Sequence, residues 1–141
     1  MDEKTSKLIL DYALRFINAP YIWGGQGPGW DCSGLCLELL KACGVVSSKY
    51  DTTAQGLFNA TTSGAVIKPK AHALSFYGKM GSVTHVTYCL NESLCLEAGG
   101  GGSSCKTIED AQKLGAFVRI RPIFYRKDWL SVHIPDRSHF S

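Results

Sequence analysis

A chain of 141 residues, 45% of them hydrophobic, is the size of one ordinary domain and can bury a core without metal or disulfide staples. Residues 1–63 carry five Lys or Arg against six Asp or Glu and residues 64–141 carry ten against six, so the net charge of +3 resides in the second half. An excess of that size would suit an anionic polymer, yet it is ordinary for a solvated surface, so charge selects no partner and no nucleic acid is expected.

The chain opens on Met1-Asp2-Glu3-Lys4, acidic and followed by an interrupted apolar pattern. This is neither a secretory signal nor a stretch able to span a bilayer, and a soluble protein made in the cytoplasm is expected. Leu8, Ile9, Tyr12, Ala13, Phe16 and Ile17 recur at helical spacing with Lys7, Asp11 and Arg15 opposite them, and Pro20 follows, which predicts an amphipathic helix. In Tyr21-Ile22-Trp23-Gly24-Gly25-Gln26-Gly27-Pro28-Gly29-Trp30, four glycines and a proline forbid regular structure while two tryptophans supply apolar mass. From Asp31 the pattern turns helical again, apolar all round, and stops at Gly44, as a central helix would. Residues 52–60 read as a weaker helix with a threonine cap.

After Pro69 the period becomes that of strands: Ala73–Tyr77, Val83–Leu90 and Ser93–Ala98, the last two joined at Asn91-Glu92. A glycine run at 99–102 ends this hairpin. A short helix over 107–114 and a strand over Phe117–Arg121 follow, and then a polar, proline-containing tail at 130–141. Helices first and strands later predict a single α+β domain over residues 1–141 with a mostly antiparallel sheet.

Six cysteines stand at positions 32, 36, 43, 89, 95 and 105 without a C-x-x-C element. Cys36, Cys43, Cys89 and Cys95 read as reduced, buried small hydrophobes. Cys32 differs. It opens the central helix, where the positive end of the helix dipole favours a thiolate and unpaired amides can face an oxyanion. A cysteine there is more often structural than catalytic until a base is found. Among four histidines, His133 and His139 fall in the tail and His72 in a loop, whereas His85 starts the apolar strand Val83–Leu90. Glu97 ends the next strand, and a tight hairpin brings those two ends side by side. Glu97 is thereby placed to accept the second N–H of His85, the orienting role in a nucleophile–base–orienter set, although an exposed strand-end carboxylate is the plain alternative.

The string YIWGGQGPGWDCSG, the strand THVTYCL and the element LEAGG together resemble the NlpC-type cysteine peptidases, bacterial and phage enzymes of papain-like fold that cut the peptide stems of peptidoglycan. The resemblance spans roughly residues 5–121. It implies Cys32 as nucleophile, His85 as base, Glu97 as third polar residue and Tyr21 beside the nucleophile. Asp31 and Ser33 fall at positions that help bind substrate, in some members through the free amine of the stem. Core packing for Tyr21 and simple helix capping for Asp31 stand beside these roles. The third position often holds histidine in the family, and its usual Pro-Gly-Asp reads Lys70-Ala71-His72-Ala73-Leu74 here.

The resemblance implies an amide hydrolase that works through a thioester and needs neither metal nor organic cofactor. Three alternatives stay open: a catalytically silent wall-binding or phage structural module, a papain-like amidase or acyltransferase on a non-wall substrate, and a zinc protein built on Cys89, Cys95 and Cys105. Peptidoglycan lies outside the membrane, so a chain without a signal needs another route to it. Delivery in a phage particle, with phage tail proteins as partners, release on lysis, dedicated export, or recycling of wall fragments in the cytoplasm would each supply one.

Overall fold

The computed structural model describes residues 1–25, 27 and 29–141. Gln26 and Pro28, part of the predicted glycine-rich loop, lie outside the described residues.

Helix α1 runs over Glu3–Leu14 and starts earlier than its apolar spacing suggests, because the Asp2 side chain caps it by accepting from the Thr5 amide. Ile9 and Ala13 form its buried face, while Leu8 remains exposed. Phe16 meets Trp30 and Tyr12 edge-on at 5.2 and 5.1 Å between centroids, tying the end of this segment to the loop that precedes the next helix.

Helix α2, Cys32–Ala42, is the central one. Leu35, Leu37, Leu39 and Leu40 are each at most 2% exposed, and burying such side chains is worth about 1.5–3 kcal/mol apiece. Gly44 adopts φ +73°, the Gly44 amide bonds the Lys41 carbonyl and the Val45 amide bonds that of Leu40. This paired closure explains why the helix ends there, since only glycine takes that φ without cost. Helix α3 spans Ala54–Thr61 with Thr53 as cap, and a short 3-10 turn over Thr62–Gly64 follows.

Six strands form one antiparallel sheet: β1 Ala65–Val66, β2 Leu74–Lys79, β3 Ser82–Cys89, β4 Leu94–Ala98, β5 Val118–Pro122 and β6 Trp129–His133, in spatial order β1-β6-β2-β3-β4-β5. Helix α4, Ile108–Leu114, connects β4 to β5. Strand alternation sends Leu74, Phe76, Val86, Tyr88 and Leu96 into the large core shared with α2 and α3. Ala73, Cys89, Cys95 and Val132 pack on the opposite face with Ile123. The α+β reading with an antiparallel sheet therefore describes the fold.

The tail reading is corrected. Residues 129–133 form β6, between β1 and β2, and His133 is 2% exposed. Trp129, Leu130 and Val132 are apolar, but the strand is only five residues long and lies between Arg126-Lys127-Asp128 and Pro135-Asp136-Arg137, the charged setting that hid it. A buried imidazole is tolerated because Thr61 Oγ1 bonds Nδ1 and Ser131 Oγ bonds Nε2, both at 2.9 Å, and burial lowers its pKa to about 4. Beyond it Ile134 and Phe140 still pack against the two core clusters, and the exposed polar part is confined to Asp136, Arg137, Ser138 and Ser141 around the 3-10 turn at Arg137–Phe140. Among the described residues no helix is long and apolar enough to cross a membrane.

Candidate active site

The site lies where the start of α2 meets the β3–β4 hairpin. Asp31 fixes the helix start: its Oδ1 accepts from the Gly34 amide at 2.7 Å and its Oδ2 from the Gly24 amide at 3.1 Å. One carboxylate thus caps the helix and anchors the loop before it. The cap engages the third amide of the helix and leaves those of Cys32 and Ser33 outside that bond, pointing along the helix start. A Cβ at residue 34 would collide with the Gly25 carbonyl oxygen, so glycine is required for the loop to lie this close to the helix.

His85 comes from β3 and is 7% exposed. Its Nε2 lies 2.9 Å from Glu97 Oε2. The Glu97 carboxylate is 3% exposed and also accepts from Arg121 Nε, at 3.2 Å, and from the Tyr125 hydroxyl. Burial alone would push the Glu97 pKa up, but bonds from His85 and Tyr125, the His85 charge and Arg121 hold it down at about 2. An ionised carboxylate only accepts, so Nε2 carries the hydrogen and Nδ1 is the nitrogen left for Cys32. Burial likewise opposes charge on His85, yet the Cys32 thiol and the Glu97 carboxylate outweigh it and raise its pKa to about 9.

Two clefts meet at Cys32. One, of about 390 Å³, is bounded by Cys32, His85, Gly99–Gly102, Tyr125 and Arg126; the other, of about 520 Å³, by Cys32, Asp31, Ser33, Asp51 and the start of α3. Tyr21, Trp23 and Thr84 border both. Tyr21 is 5% exposed, its hydroxyl pKa raised by burial and then by the neighbouring Cys32 and Asp31, and its carbonyl accepts from Cys105 Sγ at 3.0 Å. It is therefore both a core residue and a wall of the cleft. Ser33 Oγ sits 3.5 Å from Asp31 Oδ1.

The structure thus brings Tyr21, Asp31, Cys32, Ser33 and His85 to one pair of clefts, with Glu97 behind His85. The other three histidines are engaged elsewhere: His72 between Ser6 and Tyr88, His133 between Thr61 and Ser131, and His139 with Ser63 and the Asp136 amide. Cys89 and Cys95 face each other across β3 and β4, while Cys105 is tied to Tyr21. Sequence reasoning missed Trp23, Asp51, Thr84, Arg121, Tyr125 and Arg126. Arg121 was visible only as the polar half of an alternating strand, and nothing local marks Tyr125, whose contact with Glu97 spans 28 residues.

Residues 18–121 match the NlpC/P60 family, a span that contains the helix start, the hairpin and the lining of both clefts except Tyr125 and Arg126. The chain belongs to the NlpC/P60 family. It is 31% identical over 100 residues to Protein P54 of Enterococcus faecium, an alignment that covers 70% of this chain and 19% of that protein; the chain spans about a fifth of the curated relative it matches. The fold is similar to the NlpC/p60 domain of the peptidoglycan hydrolase SagA, with TM-score 0.62 and 22% identity over 91% of this chain and 97% of that one. It is also similar to the peptidoglycan hydrolase RipB of Mycobacterium tuberculosis, with TM-score 0.63 and 23% identity over 96% and 69% of the two chains. This NlpC/P60 domain has the papain-like architecture, its central helix packed by the start of the sheet's hairpin.

Proposed function

We propose that this NlpC/P60 domain is a cell-wall hydrolase that cleaves an amide bond in peptidoglycan stem peptides, with Cys32 as nucleophile, His85 as base and Glu97 as the group that orients it. The single observation that carries this reading is the buried His85–Glu97 pair on a cleft that Cys32 also lines. A histidine protonated near neutral pH beside a thiol favours a thiolate–imidazolium pair, and the thiolate is the nucleophile.

The Cys32 sulfur attacks the amide carbon and a C–S bond forms, with the amides at the start of α2 facing the oxyanion. His85 gives its proton to the amide nitrogen as the C–N bond breaks and the amine leaves. A water molecule then attacks the thioester, His85 accepts its proton, and the acid product departs as the thiol is restored.

The larger cleft carries two carboxylates, Asp31 and Asp51, on its border, while the Arg126 that borders the other is already paired with Asp128. A short peptide lying across Cys32 would place its amine end against the carboxylates, with Tyr21 and Ser33 beside it. Intact-mass spectrometry of the protein mixed with a soluble stem peptide and quenched in acid tests the covalent step. An adduct of the acyl fragment on Cys32, absent from Cys32→Ala, is expected; peptide cleavage that proceeds equally in Cys32→Ala would contradict the thioester route.

A further inference from the structure

Three donors converge on the carboxylate of Glu97, and only His85 among them follows from nucleophile–base–orienter logic. The Tyr125 hydroxyl donates to Oε2, the same oxygen that His85 engages, and Arg121 Nε donates to Oε1. The Arg121 guanidinium also stacks over the Tyr125 ring, 4.8 Å from its centroid, so each of these two side chains steadies the other. They come from β5 and the loop after it, elements outside the hairpin that carries His85 and Glu97.

We propose that Tyr125 and Arg121 are positioning residues for the hydrolytic site, fixing the Glu97 carboxylate and sharing its charge so that it orients His85 without trapping the proton His85 must return. This rests on the reading of Cys32 as nucleophile and His85 as base. A buried carboxylate bonded to an imidazolium alone would stabilise the charged ring strongly and make it a poor acid. A second donor on the same oxygen competes with His85 for that charge. A cation on the other oxygen keeps Glu97 ionised while opposing a second positive charge nearby.

The other groups around the pair do not supply this balance. The Cys32 thiol faces His85 from α2 and favours the charged ring, as Glu97 does. The Tyr77 ring packs on His85 from β2 at 5.4 Å between centroids, and its hydroxyl donates to the Ile123 carbonyl. Cys95 neighbours Glu97 along β4, its thiol held neutral by burial. Arg126 and Asp128, on the loop before β6, pair with each other through two bonds of 2.8 and 2.7 Å, and Asp128, which also feels the His85 charge, favours the charged ring rather than opposing it. Arg121 is 41% exposed at its side chain, where an ion pair contributes little to stability, and a purely structural role would leave the titration of His85 where it is.

NMR titration of the His85 ring tests the inference in the intact protein and in Tyr125→Phe, Arg121→Gln and Arg121→Lys, with release of stem-peptide fragments recorded over the same pH range. Tyr125→Phe and Arg121→Gln are each expected to raise the His85 midpoint by about half to one pH unit, and the alkaline limb of activity should follow it. Arg121→Lys keeps the cation and should stay close to the unmodified protein. A midpoint that does not rise in Tyr125→Phe and Arg121→Gln, or that rises as far in Arg121→Lys as in Arg121→Gln, overturns the inference. An unmoved midpoint with stem-peptide fragments still released overturns it alone, whereas a raised midpoint with no product from any of the four proteins overturns the hydrolytic reading and the positioning role with it.

Discussion

Glu97 is an ionised carboxylate in a nearly dry place, and the groups that keep it ionised give the fold a pH window. Its pKa falls from an ordinary 4.5 to about 2, so the stabilisation it brings is present above pH 4.5 and is lost as pH falls toward 2. The His85 pKa rises from 6.5 to about 9, so its stabilisation is complete below pH 6.5 and is lost as pH rises through 9. The pair is at full strength between those ordinary values. Breaking a buried pair from one side costs about 3–5 kcal/mol, and Glu97→Gln should approach the lower figure in urea unfolding at pH 5.5 and cost clearly less at pH 9.5. Equal costs at the two pH values would show that the pair is not charged as described. The His85–Glu97 pairing was legible in the sequence because hairpin geometry is local. The bonds from Arg121 and Tyr125 were not, because they depend on the register of β5 against β4, which pairs Cys95 with Arg121, and no residue pattern announces that register.

At the scale of the element, the start of α2 carries two duties through one side chain. Asp31 caps the helix and holds the Gly24 amide, and the same carboxylate borders the larger cleft. The two duties separate on substitution. Asp31→Ala removes the cap and should cost about 1 kcal/mol in thermal or urea unfolding, lowering activity by disturbing Cys32. Asp31→Asn keeps a capping oxygen for the Gly34 amide but loses the bond from the Gly24 amide, so it should cost less than Asp31→Ala in unfolding, while kcat/KM for a stem peptide with a free amine falls about tenfold or more if the carboxylate meets that amine. Unchanged kcat/KM in a stable Asp31→Asn would reduce Asp31 to a cap. Both readings of this residue were open in the sequence, since Asp before a helix signals a cap regardless of any ligand. The helices themselves were legible from spacing and from Gly44, whereas the true start of α1 lay in Asp2, a cap upstream of the apolar pattern.

Across the whole molecule, the nucleophile stands on a helix and its base on a sheet, so their meeting is a property of the packed core rather than of any segment. Leu35 and Leu39 on α2 and Val86 and Tyr88 on β3 lie in the same core cluster, and this packing holds Cys32 and His85 in one cleft. The layering was legible because helical and strand periods occupy separate stretches of the chain. The sheet's breadth was not: β1 has only two residues, and β6, though Leu130-Ser131-Val132-His133 alternates, is a five-residue run between charged and proline-containing stretches, so its His133 reads as tail until Thr61 and Ser131 are seen to satisfy it. Membership of the NlpC/P60 family fixes the architecture, and the claim that turns architecture into function is that the Cys32 thiol cuts wall peptides. The direct measurement is digestion of purified peptidoglycan of several chemotypes by the protein and by Cys32→Ala, with released fragments identified by mass spectrometry. New stem-peptide fragments that appear only with the intact thiol are the predicted result. Digests identical to the blank on every wall tested would contradict it and leave a silent wall-binding module or a non-wall substrate in its place.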